Sequence, residues 1–412
     1  MRKIDKYEDR YSRRTRVMRS SAMRDLMSLT ARPEVISFAG GLAATDSFPQ
    51  EVFARVSMHI NATQRALSLQ YGPTEGFDFL RADVAAVMAK EGCKVDPSSV
   101  LITTGAQQGI DLLAKTFVDP GDVVLAEGPA YAGALTTFSS YQAEVHHLPM
   151  DADGLVIEGL EAKLTRFKAQ GRRAKFLYLV PSFSNPAGTT LSLERRVRLI
   201  KLARLWDLLI VEDNAYGLLR FEGEPLPTLL SLDRHENVVY LGSFSKIISP
   251  GLRTGWMVAP PAIYQKLVFA KQATDLCSSP LAQLFVHEFV VSGAWSDYLC
   301  ELRGLYRSRR DALLEALSKE FPEGSTWTVP QGGFFVWATL PAFFDTKDLL
   351  VRALEDNVAF VPGEAFFMDG QGHSSLRLAF SANPEQRIKE GIRRLGEVIE
   401  AQLELYRALG FQ

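Results

Sequence analysis

KFLYLVPSFSNPAGTTLSLERRVRLIKLARLWDLLIVEDNAYG, residues 175–217, decides the fold. It opens on a short run, KFLYLV, that is apolar on both faces. The run breaks at Pro181 into a polar loop, and LSLERRVRLIKLARLW follows, with Leu193, Val197 and Ile200 at helical spacing. LLIVED then gives a second apolar run. Strands that are apolar on both faces belong in a parallel sheet covered by helices. SVLITT (99–104), DVVLAEG (122–128), NVVYLG (237–242) and GWMVAP (255–260) repeat the pattern on either side. Strand-helix alternation over this length predicts an α/β domain with a mainly parallel sheet.

After about residue 295 the character changes. The charged helical stretch ELRGLYRSRRDALLEALSKEF leads to strand-like pieces, TWTVP, GGFFVWATL, VAFVP and SSLRLAFS. Asn383 and Pro384 then open a final helix with the apolar stripe Ile388, Ile392, Leu395 and Ile399. The expected division is an N-terminal segment (1–47) packing with the small domain, a large domain (48–295) and a smaller α+β domain (296–412).

A net charge of −2 over 412 residues, with 47% hydrophobic and 23% charged residues, is ordinary globular composition. It lacks the basic excess of a nucleic-acid surface. Cys93, Cys277 and Cys300 are far apart and odd in number, which indicates neither a disulfide framework nor a zinc site. His146 and His147 would point to opposite faces of a strand, so no metal is expected there. No apolar run approaches a membrane span. MRKIDKYEDRYSRRTRVMRS has no apolar core and carries acids, so neither a secretory signal nor a transit peptide is expected. The expectation is a cytoplasmic protein.

Ligands of parallel α/β sheets bind outside the carboxyl ends of the strands. Gly105, Ala106 and Gln107 follow the first run, Tyr131 the second, and Asn185 sits in PSFSNPAG. Asp213 ends LLIVED with Tyr216 close behind, and GSFSKIISPGLRTGW follows NVVYLG. A glycine turn entering a helix offers N–H groups to an anion, and Ser243, Ser245 and Arg253 add donors at another strand end. Asp213, at the end of an apolar run, stays charged only beside a cation such as a protonated ring nitrogen. It could instead cap the following turn, and Tyr131 could be core rather than a stacking platform. Lys246, near cations and partly out of water, has the environment of an imine-forming amine. Together these are the parts of a pyridoxal 5′-phosphate site.

The chain resembles the fold-type I pyridoxal-phosphate aminotransferases of class I/II over essentially its whole length. The carrying motifs are GSFSKIISPGLRTGW, TTGAQQG, VEDNAYG and PSFSNPAG. The resemblance implies a seven-stranded, mainly parallel sheet in the large domain, and Lys246 as the Schiff-base lysine. Ser243, Ser245 and Arg253 would hold the phosphate with the Gly105–Ala106–Gln107 turn. Asp213 would pair with the ring nitrogen, Asn185 and Tyr216 with the ring oxygen, and Tyr131 would stack on the ring. Lys246, Asp213 and Tyr131 form the implied catalytic set. Tyr71, in LQYGPTEG, would reach the phosphate of a neighbouring subunit, implying a homodimer with shared sites. Arg377, in SSLRLAFS, matches the clamp for a substrate α-carboxylate.

RSSAMRDLMSLTARPEVISFAGGL is similar to the subgroup of 2-aminoadipate and kynurenine-type aminotransferases and to the aminotransferase-like domains of MocR-type regulators. Gly40 and Gly41 would line the substrate pocket, and Arg24 matches an arginine that meets a distal carboxylate. Two positions depart from the subgroup, Ala43 after GGL and Ser184 before Asn-Pro, and both are expected to border the substrate.

The resemblance implies transfer of an amino group from an L-amino acid to a 2-oxo acid, 2-oxoglutarate, by a ping-pong cycle. Alternatives are a β-lyase, decarboxylase or racemase on the same scaffold, or a ligand-sensing MocR-type module. Against the module, only about 30 residues precede the aminotransferase-like text, too few for a winged-helix domain.

Overall fold

The computed structural model describes residues 5–18 and 32–408. Residues 175–217 fold into strand, loop, helix and strand at the middle of the larger sheet. In chain order its strands are β1 (Val100–Thr103), β2 (Val123–Gly128), β3 (Glu144–Asp151), β4 (Gly154–Leu155), β5 (Ala174–Leu179), β6 (Ile210–Asp213), β7 (Val238–Ser243) and β8 (Gly255–Val258). Their spatial order is β1-β8-β7-β6-β5-β2-β3-β4. The run from β7 to β3 is parallel throughout. The GWMVAP strand, β8, is antiparallel to both neighbours. The two-residue β4 turns back on β3, extending the expected seven strands by one.

Every residue of β6 and β7 is buried. Along β5 successive side chains enter opposite layers, Phe176 and Tyr178 one apolar cluster, Leu177 and Leu179 the other. Helix α1 (Ala106–Phe117) covers the first layer through Ile110, Leu112 and Leu113. Helix α2 (Leu193–Trp206) covers the second through Leu199, Leu202 and Ala203.

Of the expected stripe on α2, Ile200 packs against the core. Leu193 and Val197 are 46% and 37% exposed, whereas Arg196 is 1% exposed. Its guanidinium donates to the carbonyls of Pro181 (2.7 Å), Leu191 (2.9 Å) and Pro227 (3.0 Å) and to Ser182 Oγ (2.9 Å). A buried cation is tolerated when its donors are satisfied. Here it also ties together both ends of the loop that carries Asn185.

Helix α3 (Pro261–Asp275) packs on α1. Helix α4 (Ala294–Glu320) then leads to a second sheet of β9 (Thr326–Trp327), β10 (Phe335–Thr339), β11 (Val361–Pro362) and β12 (Ser375–Ala379). That sheet is antiparallel, in the order β9-β10-β12-β11. Helix α5 (Glu385–Ala408) lies along α4 and buries Ile388, Ile392, Leu395 and Ile399. It begins after Pro384, and Asn383 Nδ2 donates instead to the carbonyl of Ser37 (2.8 Å). Ile36–Ser37 pairs in parallel with Val358–Ala359. One apolar cluster runs from Ile36 to Leu403 through both sheets. Among the described residues no helix is long and apolar enough to cross a membrane.

Candidate active site

A cavity of about 280 Å³ opens at the carboxyl ends of β1, β2, β5, β6 and β7, facing the second sheet. Its wall holds Ala106, Gln107, Tyr131, Asn185, Asp213, Tyr216, Ser243, Ser245, Lys246 and Arg253. Gly40 and Gly41 close it from the N-terminal segment, and Phe335 and Arg377 from the second sheet. The structure thus brings together residues spread over more than 300 positions of sequence. Three predicted residues are not on this wall. Gly105 lies immediately behind it, Tyr71 is 76% exposed, and Arg24 lies outside the described residues.

The end of β6 carries two buried carboxylates. Side chains alternate along a strand, so Glu212 and Asp213 face opposite layers. Glu212 accepts from the N–H groups of Leu229 and Leu230 (both 2.8 Å), at the start of the short helix Leu229–Leu232. Asp213 is left for the cavity. Its Oδ2 accepts from the Tyr178 hydroxyl (2.7 Å), while Oδ1 is buried with no hydrogen-bond partner among the described residues. Burial raises the Asp213 pKa to about 6, and the Tyr178 hydrogen bond opposes that rise. An unmatched carboxylate oxygen at the end of an apolar strand fits a ring N–H donor.

Sequence reasoning passed over Tyr178, although period-two alternation places it on the same face of the sheet as Asp213. A donor to the ionised form favours that form, so Tyr178→Phe should let the Asp213 carboxyl keep its proton to higher pH. A bond to a charged group contributes about 1.5–3 kcal/mol, which corresponds to roughly one to two pH units. Carboxyl NMR titration of the cofactor-free protein checks this, and an unmoved titration would show that the bond has no weight.

Lys246 Nζ donates to the carbonyl of Gly41 (2.7 Å) and lies 5.4 Å from the centre of the Phe334 ring. Burial lowers its pKa to about 8, assisted by the nearby charges of Arg377 and Arg253. A larger fraction is therefore the free amine near neutral pH than for a solvated lysine, as a nucleophile requires.

Gly105 caps α1 at φ +76°, and a Cβ there would stand 2.4 Å from Arg253 Nη2. Only glycine lets the turn and the guanidinium approach this closely. Arg253 Nη2 also reaches the carbonyl of Thr104 (3.4 Å), its Nη1 reaches Ser245 Oγ (3.5 Å), and Ser243 Oγ accepts from Ser245 N–H (3.1 Å). A helix N-terminus, a guanidinium and two hydroxyls bordering one cavity end suit a phosphate dianion. Tyr131 donates to Gln107 Oε1 (3.1 Å), and its ring lies against Gly133, where a Cβ would meet it at 2.4 Å.

Arg377 is 2% exposed, with its guanidinium over the rings of Phe335 (4.4 Å) and Phe366 (4.9 Å). It donates to Asn185 Oδ1 (2.7 Å) and to the carbonyl of Ala39. Burial pushes the pKa of the Tyr216 hydroxyl, on the same wall, far up. Arg377, Asn185 and Tyr216 all line the cavity. Ala43 and Ser184, expected to border the substrate, are not among the residues lining the cavity. Ser184 is 1% exposed and turned into its own loop toward Thr189 Oγ1 (3.2 Å), and Ala43 is buried behind Leu42. Phe335 and the Ala39 carbonyl were not foreseen. The double glycine of QGGFF, which admits close packing at Phe183, was the available signal.

The model of the aminotransferase class I and II family matches residues 41–395. The aromatic-amino-acid aminotransferase 1 of Thermococcus litoralis is 40% identical over 399 residues, 97% of this chain and 96% of that protein. The 2-aminoadipate transaminase of Thermus thermophilus is 43% identical, over 94% of this chain and 96% of that protein. The crystal structure of Pyrococcus horikoshii kynurenine aminotransferase with PMP, KYN and KYA is 41% identical with a TM-score of 0.93. The match covers 97% of this chain and 98% of that one.

Proposed function

The chain belongs to the class I and II aminotransferases, fold-type I enzymes that depend on pyridoxal phosphate, and we propose that it moves an amino group from a large L-amino acid to 2-oxoglutarate through the Lys246–Asp213 cavity. The observation that carries this reading is the pairing of a half-buried amine with a buried carboxylate oxygen that has no partner among the described residues, both on one cavity wall. When bound, the cofactor supplies an electrophilic aldehyde carbon and a ring that accepts negative charge.

The residues divide the remaining work. Lys246 Nζ is the amine that holds the cofactor and, once released, the base that takes the substrate Cα proton. Asp213 Oδ1 holds a proton at the ring nitrogen. Asn185 and Tyr216 would bond the ring oxygen, Tyr131 would pack against the ring, and Ser243, Ser245, Arg253 and the Gly105–Gln107 turn would hold the phosphate. Arg377, preset by Asn185 and the Ala39 carbonyl, binds the substrate α-carboxylate as a bidentate pair. Phe335, Val180 and Ile110 keep that wall apolar and exclude water.

The donor class rests on the relatives, named for aromatic amino acids, 2-aminoadipate and kynurenine. We also propose a homodimer with shared sites, supported by Tyr71, which is turned outward and does not line its own cavity. A monomeric mass in solution would exclude it.

One cavity with one α-carboxylate clamp must take both substrates in turn. Initial rates with 2-aminoadipate or an aromatic amino acid against 2-oxoglutarate should therefore give parallel double-reciprocal lines. Lines that intersect would show both substrates bound at once and would overturn the shared-cavity reading.

A further inference from the structure

Lys271, in α3, is wholly buried, and the chemistry above makes no use of it. Its Nζ donates to Asp275 Oδ1 (2.7 Å). The other carboxylate oxygen accepts from Gln108 Nε2 (2.6 Å) and Thr104 Oγ1 (3.1 Å). Gln108 Oε1 accepts from Thr104 N–H (2.8 Å). Thr104 and Gln108 bracket the Gly105–Gln107 turn, and the Thr104 carbonyl also holds Arg253. Asp275 therefore ties down both ends of the turn in a single carboxylate.

That carboxylate is badly placed on electrostatic grounds alone. It ends a helix, where the dipole disfavours negative charge, and it stands one residue away from a site that must take a phosphate. The buried ammonium of Lys271, one helical turn earlier, offsets both penalties. We propose that Lys271 and Asp275 are a positioning pair. Asp275 fixes the turn so that its N–H groups face the phosphate, and Lys271 cancels the charge that would repel it. The proposal rests on the reading of Gly105–Gln107 as the phosphate site.

The test compares binding of pyridoxal 5′-phosphate and of pyridoxal to full-length protein freed of cofactor. Both ligands can bond Lys246, but only one carries the phosphate. Lys271→Met should weaken pyridoxal phosphate about 10- to 100-fold, as loss of an outer partner of a ligand-holding group commonly does. Pyridoxal binding should change less than about threefold. Adding Asp275→Asn to that variant should recover most of the loss, because a neutral amide needs no counter-charge and still accepts from the turn. Should Lys271→Met not fold, Gln108→Leu cuts one tie from a half-buried position and should show the same selectivity. Equal weakening of both ligands, or weakening of neither, overturns the pairing role. If the parent protein binds pyridoxal as tightly as its phosphate, the phosphate-site reading itself fails.

Discussion

Lys246→Ala is expected to reduce transamination by about four orders of magnitude while leaving the fold intact. The side chain projects into the cavity, where it donates to the Gly41 carbonyl, so its removal creates no buried void between packed elements. Two contributions vanish together, the covalent hold on the cofactor and the base for the Cα proton. A positioned acid–base group alone is commonly worth about 10²–10⁴ in rate. Borohydride should no longer fix the cofactor to the chain, and the melting temperature of the cofactor-free protein should stay near that of the parent. The pH dependence has a definite sign. Burial lowers the Lys246 pKa to about 8, and the free amine is the reactive form. Capture of the cofactor aldehyde by the parent protein should therefore accelerate as pH rises toward 8 and level off above it. Retained activity in Lys246→Ala would remove Lys246 from the mechanism.

Asp213→Asn should come next in size, for a reason specific to this site. The Tyr178 hydroxyl donates to Oδ2 (2.7 Å), so the asparagine keeps its carbonyl oxygen there and turns its NH₂ toward the cavity. A donor would then face the ring nitrogen and hold it unprotonated, and the ring would accept charge poorly. Breaking a buried charge pair costs about 3–5 kcal/mol, or roughly a hundred- to several-thousand-fold in rate. The loss should fall on kcat, because the Arg377–Asn185 clamp is untouched. A rise in KM with unchanged kcat would place Asp213 in substrate binding instead.

Much of this site was legible in sequence because its residues stand at the ends of apolar runs, where parallel sheets gather their chemistry. Asp213, Lys246 and Asn185 all lie on the predicted rim. What stayed hidden depended on packing and direction. Hydropathy gives the period of GWMVAP but not its sense, so β8 could not be known to run antiparallel. Of the stripe Leu193, Val197, Ile200, the last packs inward but the first two are exposed, and Arg196 was missed because it counts as polar in any pattern. In the fold it is buried among carbonyl acceptors. Ser184 borders the Asn-Pro in sequence, yet the loop turns it inward to Thr189. Tyr178 and Asp275 act through hydrogen bonds to residues 35 and 171 positions away, which one-dimensional spacing does not reveal.

The most direct measurement is a single half-reaction. The holoenzyme is mixed with one amino acid at a time, including 2-aminoadipate and aromatic amino acids, with no 2-oxo acid present. One equivalent of 2-oxo acid should form per site, with the cofactor recovered in its amine form and turnover then halted. Failure of every amino acid to give a 2-oxo acid, or continued release of ammonia without an acceptor, would contradict amino-group transfer through the Lys246 cavity.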